Sequence, residues 1–135
     1  MPTQINRRRV IKNSVALAGA GFLFSSQSDV ALSDSPNERV NVASIGVGGK
    51  GSSDCDGAGK FGQIVAICDV DDQRLKQKAQ QYPDARMFHD FRELLSEMGD
   101  KVDAVTVSTA DHTHAAAGVA AMRLGKHVYC QKPLT

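Results

Sequence analysis

From about residue 39 onward, the chain alternates short apolar runs with longer, mostly polar segments. Continuous runs rich in valine, isoleucine and alanine are typical of strands that are buried on both faces of a parallel sheet. Such runs predict five strands, at 40–45, 63–69, 86–89, 103–109 and 127–130. The segments that separate them are long enough to contain helices.

Helix signals stand in each of these segments. Asp71 and Asp90 are candidate N-caps, and Glu93 follows Asp90 as in a capping box. Pro83 and Gly99 are candidate stops for the same two helices. Apolar positions at helical spacing are expected to face the core, namely Leu75, Ala79, Tyr82, Leu94, Leu95 and Met98. The basic positions of the second helix are expected to face solvent, namely Arg74, Lys76 and Lys78.

The first and fourth helices are expected over 50–60 and 112–124, and Gly125 closes the fourth. The first helix contains three glycines after its start, and each costs about 1 kcal/mol relative to alanine in a helix interior. It therefore depends on docking against the sheet or on a bound cofactor. The resulting β-α-β-α-β-α-β-α-β order predicts an α/β fold, a Rossmann-type doubly wound parallel sheet with right-handed crossovers. The sheet is expected to be incomplete.

A glycine-rich turn between the first predicted strand and the first helix is the clearest functional signal. Gly46, Gly48 and Gly51 fit the G-x-G-x-x-G dinucleotide fingerprint, and Gly49 lies within the same turn. In that fingerprint the glycines permit the tight turn, the approach of a pyrophosphate and close packing of the helix on the strand. The helix N-terminus then offers free N–H groups to the phosphates. The alternative is a glycine-rich surface turn in an ordinary α/β domain.

Asp69 strengthens the nucleotide interpretation. It ends the second predicted strand, near the spacing of about 20 residues expected for the acid that binds a ribose hydroxyl. An acid at this position repels a 2′-phosphate, which favours NAD over NADP as the cofactor.

Composition and charge exclude several other classes. The formal net charge is +1, with 16 basic and 15 acidic residues, so nothing indicates a nucleic-acid surface. The three cysteines, Cys55, Cys68 and Cys130, have no paired spacing, which argues against a disulfide framework. Cys68 and Cys130 end apolar runs and are interpreted as buried structural thiols.

Residues 1–33 resemble a targeting segment. Residues 6–12 (NRRRVIK) resemble a twin-arginine signal, and a weakly apolar run follows at 14–24. That run is shorter than the roughly 20 residues of a membrane-spanning helix, so no stable membrane anchoring is expected. Such a signal implies export to the periplasm or the extracellular space; the alternative is a basic tail. Residues 34–38 are interpreted as a linker, and 39–135 as the dinucleotide-binding domain.

Three motifs near the end of the chain carry a family resemblance. They are 108–114 (STADHTH), 121–128 (AMRLGKHV) and 131–133 (QKP). Together they resemble the Gfo/Idh/MocA oxidoreductases, which carry T-P-x-x-x-H after the fourth strand and A-G-K-H-V-x-x-E-K-P around the fifth. The resemblance implies an NAD-binding Rossmann domain followed by a larger substrate domain. That second domain is expected to lie outside this chain, which would then be a truncated cofactor-binding half.

The resemblance also implies roles for individual residues. The glycine turn would hold the pyrophosphate and Asp69 the adenosine ribose. Lys132 would stand beside the nicotinamide and exchange a proton with the substrate oxygen, as the catalytic residue. Further cofactor contacts are implied for residues on and after the fourth strand, namely Ser108, Thr109, Asp111 and His114.

The implied activity is NAD-dependent oxidation of a sugar, a polyol or a related carbinol by a homo-oligomeric enzyme. An NAD-dependent glycoside hydrolase of the same family and a non-catalytic nucleotide-binding module remain as alternatives. Two positions depart from the family pattern. Ala110 replaces the motif proline, and Gln131 replaces the usual glutamate. We expect the loss of a carboxylate beside Lys132 to favour its neutral form.

The histidines of 111–114 allow a second interpretation as metal ligands. His112 and His114 stand two residues apart, but no nearby Cys or Glu completes a ligand set. Cofactor contact and helix capping are the simpler interpretation, and no metal is expected. His89 and His127 flank short strands and are interpreted as structural.

Overall fold

A computed structural model of the chain describes residues 39–134. The five strands are β1 (Val40–Ile45), β2 (Gly62–Cys68), β3 (Arg86–Phe88), β4 (Ala104–Val107) and β5 (His127–Cys130). The four α-helices are α1 (Lys50–Gly59), α2 (Asp72–Gln81), α3 (Phe91–Met98) and α4 (Asp111–Arg123). A 3-10 turn, Gly99–Lys101, follows α3. The targeting segment and linker predicted for residues 1–38 lie outside the described residues.

All five strands pair in parallel in the order β3-β2-β1-β4-β5. The chain builds outward from β1 to β3 and then returns to place β4 on the other side of β1. This return creates a topological switch point at the carboxyl ends of β1 and β4, which is where open α/β sheets bind ligands. The predicted Rossmann-type parallel sheet is therefore confirmed.

The sheet separates two apolar layers. On one face, Cys55 of α1 and Leu75 of α2 pack against Val42, Ile64 and Ile67. On the other face, helices α3 and α4 pack against residues of β1, β2 and β4. The buried members of that layer include Ala43, Ile45, Val105, Leu94 and Ala117. Alternate residues of β1 thus enter different layers, which fixes its register.

Side-chain caps define the starts of two helices, as predicted. Asp71 accepts from the Gln73 and Arg74 N–H groups at 2.9 and 3.3 Å, and Asp90 accepts from the Arg92 N–H at 2.8 Å. Gly99 ends α3 without adopting a left-handed conformation. Its φ is −50°, and the backbone continues into the 3-10 turn. Among residues 39–134, no helix is long and apolar enough to span a bilayer.

The predicted orientation of Lys78 is wrong. Its side chain is only 6% exposed, and its ammonium group donates to Asp56 Oδ1 of α1 at 2.8 Å. It also donates to the Ser52 carbonyl at 3.3 Å. Helical periodicity placed Lys78 on the polar face of α2, but that face abuts α1 at this level. The long aliphatic part of the side chain is covered while the charge gains a partner.

Lys78→Ala is expected to lower the free energy of unfolding by about 1–3 kcal/mol, because it removes the partner of a partly buried carboxylate. Lys76→Ala is the matched control on the same helix. Lys76 pairs with Asp72 while 68% exposed, and such exposed pairs contribute about 0.3–0.5 kcal/mol. Urea unfolding measures both, and equal losses would contradict a structural role for the Lys78 contact.

Candidate functional site

The glycine turn that follows β1 is closed by backbone contacts. Gly46 has a φ of +82°, a conformation that favours glycine. Its N–H donates to the Cys68 carbonyl at 2.8 Å. A Cβ atom at Gly46 would lie 2.6 Å from the Ser108 carbonyl oxygen. The turn therefore touches the ends of both β2 and β4, and no larger residue fits.

Gly51 has an equally strict requirement. A Cβ atom there would lie 2.1 Å from the Gly46 carbonyl oxygen. Gly48 is different, since its nearest neighbour is the Arg74 side chain, with Cδ at 2.4 Å from an added Cβ. Gly49 is open but has a φ of +52°. Glycine is therefore required at Gly46 and Gly51, because other backbone atoms lie too close for a Cβ atom. At Gly48 only the flexible side chain of Arg74 lies nearby.

The start of α1 lies directly after this turn. Gly49 is its N-cap and supplies no side-chain hydrogen bond, and the first turn contains no acidic residue. The Gly51 and Ser52 N–H groups bond back to the Gly48 and Gly49 carbonyls at 2.9 and 3.2 Å. With no carboxylate to offset the positive end of the helix dipole, the turn favours an anionic group such as a diphosphate.

Asp69 lies at the end of β2 and is 8% exposed. Its Oδ2 accepts from the Val47 N–H of the glycine turn, and its Oδ1 accepts from the Asp71 N–H, both at 2.9 Å. Each carboxylate oxygen has a second lone pair that a ribose hydroxyl can use. Asp69 therefore fastens the turn to the β2–α2 connection, a structural role that the spacing argument did not predict.

A cleft of about 710 Å³ opens at the carboxyl ends of β1, β2 and β4. It brings together the glycine turn, Asp69, Ser108 and Thr109. Arg74 and His112 also line it, and neither was among the predicted site residues. Asp111, His114 and Lys132 lie outside the lining of this cleft.

His114 is 1% exposed and links the segments that follow β4 and β5. Its Nδ1 lies 2.7 Å from the Pro133 carbonyl oxygen, and its Nε2 lies 3.0 Å from the Thr109 carbonyl oxygen. A neutral imidazole donates from one nitrogen only, whereas a protonated ring donates from both. In either state the ring sits between two backbone acceptors and fixes the spacing of the two segments.

These contacts also bear on the metal interpretation. Both ring nitrogens of His114 face carbonyl oxygens instead of a shared site with His112. In the part of the chain that the structure describes, no group of three or more His, Cys, Asp or Glu residues could hold an ion.

Lys132 follows β5 on a backbone that is tied to the sheet. The Gln131 N–H donates to the Val107 carbonyl at 2.9 Å, and the Lys132 N–H donates to Gln131 Oε1 at 3.1 Å. The Lys132–Pro133 peptide bond is cis. The Lys132 side chain is exposed at this end of the sheet.

Asp54 of α1 contacts the segments that follow β4 and β5, which the sequence did not predict. Its side chain is 6% exposed. Oδ2 accepts from Ser108 Oγ at 2.8 Å and from Gln131 Nε2 at 3.0 Å, while Oδ1 pairs with Lys50. A carboxylate is therefore present one hydrogen bond away from residue 131. The expectation that the Gln131 replacement removes negative charge from this region is incomplete, because α1 supplies a carboxylate.

The three thiols are poor nucleophiles. Burial and nearby carboxylates raise the pKa of Cys68 to about 12, and burial also raises the pKa of Cys55 and of Cys130. Cys55 and Cys68 are buried as structural residues, but Cys130 is only partly buried. Cys68 lines the cleft at the end of β2, whereas Cys55 and Cys130 are not among its lining residues.

This fold and cleft define a dinucleotide-binding Rossmann domain. Residues 14–135 match the family described as an oxidoreductase family with an NAD-binding Rossmann fold. The chain belongs to this family, the Gfo/Idh/MocA oxidoreductases. Relatives of the chain include an inositol 2-dehydrogenase, and a similar solved structure is a myo-inositol dehydrogenase.

Individual relatives show how much of the chain is shared. A glycosyl hydrolase family 109 protein of Solibacter usitatus is 38% identical over 95% of this chain and 33% of its own length. An inositol 2-dehydrogenase of Saccharopolyspora erythraea is 39% identical over 71% of this chain and 28% of its own length. The chain thus spans about a third or less of these relatives.

A solved structure extends the comparison to the fold. The myo-inositol dehydrogenase of Lactobacillus casei, in complex with NAD(H) and myo-inositol, superimposes with a TM-score of 0.65. It is 26% identical over 72% of this chain and 29% of that protein. NAD is accordingly the cofactor of this domain. The glycine turn can admit a diphosphate at Gly48 and Gly49, where an added Cβ meets only the flexible Arg74 side chain or nothing within 4 Å.

Gly51→Ala is expected to displace the turn and to weaken NADH binding at least about tenfold, or about 1.4 kcal/mol. The control is Gly57→Ala on the same helix, where an added Cβ meets nothing within 4 Å. That change is expected to stabilise α1 by up to about 1 kcal/mol and to leave binding unchanged. Calorimetric titration and thermal unfolding of both variants check the pair. Normal NADH affinity in Gly51→Ala would refute the assignment of this turn to the diphosphate.

Proposed function

We propose that the chain is the cofactor-binding part of an oxidoreductase that moves hydride between NAD and a carbinol of a sugar or polyol. The observation that carries the proposal is the cleft itself. It joins a helix N-terminus without a side-chain cap, the buried carboxylate of Asp69 and the hydroxyls that follow β4 at one switch point. The inositol dehydrogenases among the relatives support the substrate class.

Each part of the site has a proposed task. The glycine turn and the N-terminus of α1 hold the diphosphate, and Asp69 accepts from the adenosine ribose. Ser108 and Thr109 face the nicotinamide ribose. NAD, when bound, supplies the hydride acceptor. Lys132 follows β5 at the same end of the sheet, where its amine can take the proton of the substrate hydroxyl.

A glycoside hydrolase that uses NAD is the second candidate, and the relative from Solibacter usitatus favours it because it aligns with 95% of this chain. Both candidate functions use the same cofactor-binding domain, so only their products distinguish a dehydrogenase from a glycoside hydrolase. A dehydrogenase accumulates NADH in proportion to oxidised substrate. The complete gene product, assayed with inositol and with aryl glycosides, should therefore show stoichiometric NADH; sugar release without net NADH would favour the hydrolase.

Cofactor choice tests the role of Asp69 directly. The 135-residue chain is expected to bind NADH more tightly than NADPH, because the buried carboxylate repels a 2′-phosphate. Asp69→Asn removes the charge and should reduce this preference about tenfold. It should also cost about 1–2 kcal/mol of stability, since Asn has one acceptor oxygen for two N–H groups.

The control for Asp69 is Asp72→Asn, an exposed carboxylate nearby that pairs with Lys76. This change should leave the ratio of NADH to NADPH affinity unaltered. Equal affinities for the two cofactors in the unmodified chain would contradict the assignment.

We also propose export by the twin-arginine route, supported by the pattern at residues 6–12. Replacing Arg7 and Arg8 with lysine should abolish export of a folded reporter fused to residues 1–38. Arg9 occupies the unconstrained position of the pattern, so Arg9→Gln should leave export intact. Export of the double variant at the normal level would refute the proposal.

A further inference from the structure

Asp54 joins three segments of the cleft region that are distant in sequence. It lies in α1, four residues after Lys50, and reaches Ser108 after β4 and Gln131 after β5. The sequence separations are 54 and 77 residues. Asp54 thereby connects α1, which starts at the glycine turn, to the segments that follow β4 and β5.

The carboxylate is well suited to this position because every neighbour is a donor. Ser108 donates a hydroxyl, Gln131 an amide and Lys50 an ammonium group. Burial raises the pKa of Asp54, but the hydrogen bonds from Lys50, Ser108 and Gln131 outweigh it and hold the pKa below its usual range. The group is therefore ionised at neutral pH, with its buried charge compensated.

Gln131 is the complementary half of the contact. Its Nε2 donates to Asp54 at 3.0 Å, and its Oε1 accepts from the Lys132 N–H at 3.1 Å. A glutamate at this position could still accept from the Lys132 N–H, but it could not donate to Asp54. It would also place two carboxylates within hydrogen-bond distance of each other, which disfavours the ionised form of one. The glutamine is thus explained by the aspartate that it faces.

We propose that Asp54 and Gln131 form a matched positioning pair that holds the nicotinamide half of bound NAD. Asp54 positions Ser108 directly and positions the Lys132 backbone through Gln131. Both segments are thereby held at a fixed distance from the N-terminus of α1, where the diphosphate would bind. This proposal rests on the proposed NAD site. Asp54 is a positioning residue, since it acts through Ser108 and Gln131.

ADP and NADH separate the two halves of the site. ADP contains the adenosine and diphosphate parts, whereas NADH adds the reduced nicotinamide ring and its ribose. Calorimetric titration of the 135-residue chain should show tighter binding of NADH. Gln131→Glu and Asp54→Ala should reduce the NADH preference about tenfold, the size of a coupling of about 1.4 kcal/mol. Affinity for ADP should stay within about twofold.

The exchange variant Asp54→Asn with Gln131→Glu restores one donor opposite one carboxylate and keeps the net charge. It should recover most of the NADH preference that Gln131→Glu loses. Asp56→Asn is the matched control, two residues along α1, where the carboxylate pairs with Lys78 and not with the site. That variant should lose stability without changing the ratio of the two affinities. Thermal unfolding of every variant shows whether it is folded, and the exchange variant tests the pair even if Asp54→Ala is unfolded.

The outcomes distinguish the two proposals. A chain that binds neither ligand would refute the NAD site and the pair with it. Binding of NADH no tighter than ADP would refute the pair alone. So would an equal weakening of both ligands in Gln131→Glu, which indicates a merely structural contact, or an exchange variant no better than Gln131→Glu.

Discussion

The close approach of Gly46, Gly51 and Ser108 is the constraint on which the rest of the site depends. The Gly46 carbonyl leaves no room for a Cβ at Gly51, and the Ser108 carbonyl leaves none at Gly46. Two backbone contacts therefore bring the end of β1, the start of α1 and the end of β4 to one point. Such contacts are possible only with glycine, and they place the turn at the edge of the cleft.

Local patterns were sufficient to predict the elements and their order. The central strands are mostly apolar because helices cover both faces of the sheet, so these runs stand out against their polar flanks. Asp71 and Asp90 marked helix starts because a cap bonds N–H groups two or three residues away. The glycine turn and Asp69 were also predictable, because the fingerprint spans one contiguous β-α-β unit.

Contacts between distant segments were not predictable from periodicity. Lys78 looked solvent-facing because its burial depends on α1, which packs beside α2 only in the folded sheet. Asp54 showed no signal beyond its i,i+4 relation to Lys50, and its partners Ser108 and Gln131 come from the ends of two other strands. Arg74 covers Gly48 for the same reason, since α2 returns over the turn. In each case a polar side chain gains a role from topology and not from its neighbours in sequence.

The position of α1 follows from these long-range contacts more than from its own sequence. Its glycines disfavour a helix, yet only Gly51 is required by a close backbone neighbour, whereas a Cβ at Gly59 would meet the Tyr82 hydroxyl at 2.6 Å. The helix is held by Cys55 in the apolar layer, by Asp56 through Lys78, and by Asp54 through Ser108. Asp54 and Asp56 thus hold two different sides of α1. A nucleotide bound at the N-terminus of α1 would therefore contact a helix that is already hydrogen-bonded to the segments after β4 and β5. The geometry of the diphosphate end and that of the Lys132 segment are therefore linked through a single short helix.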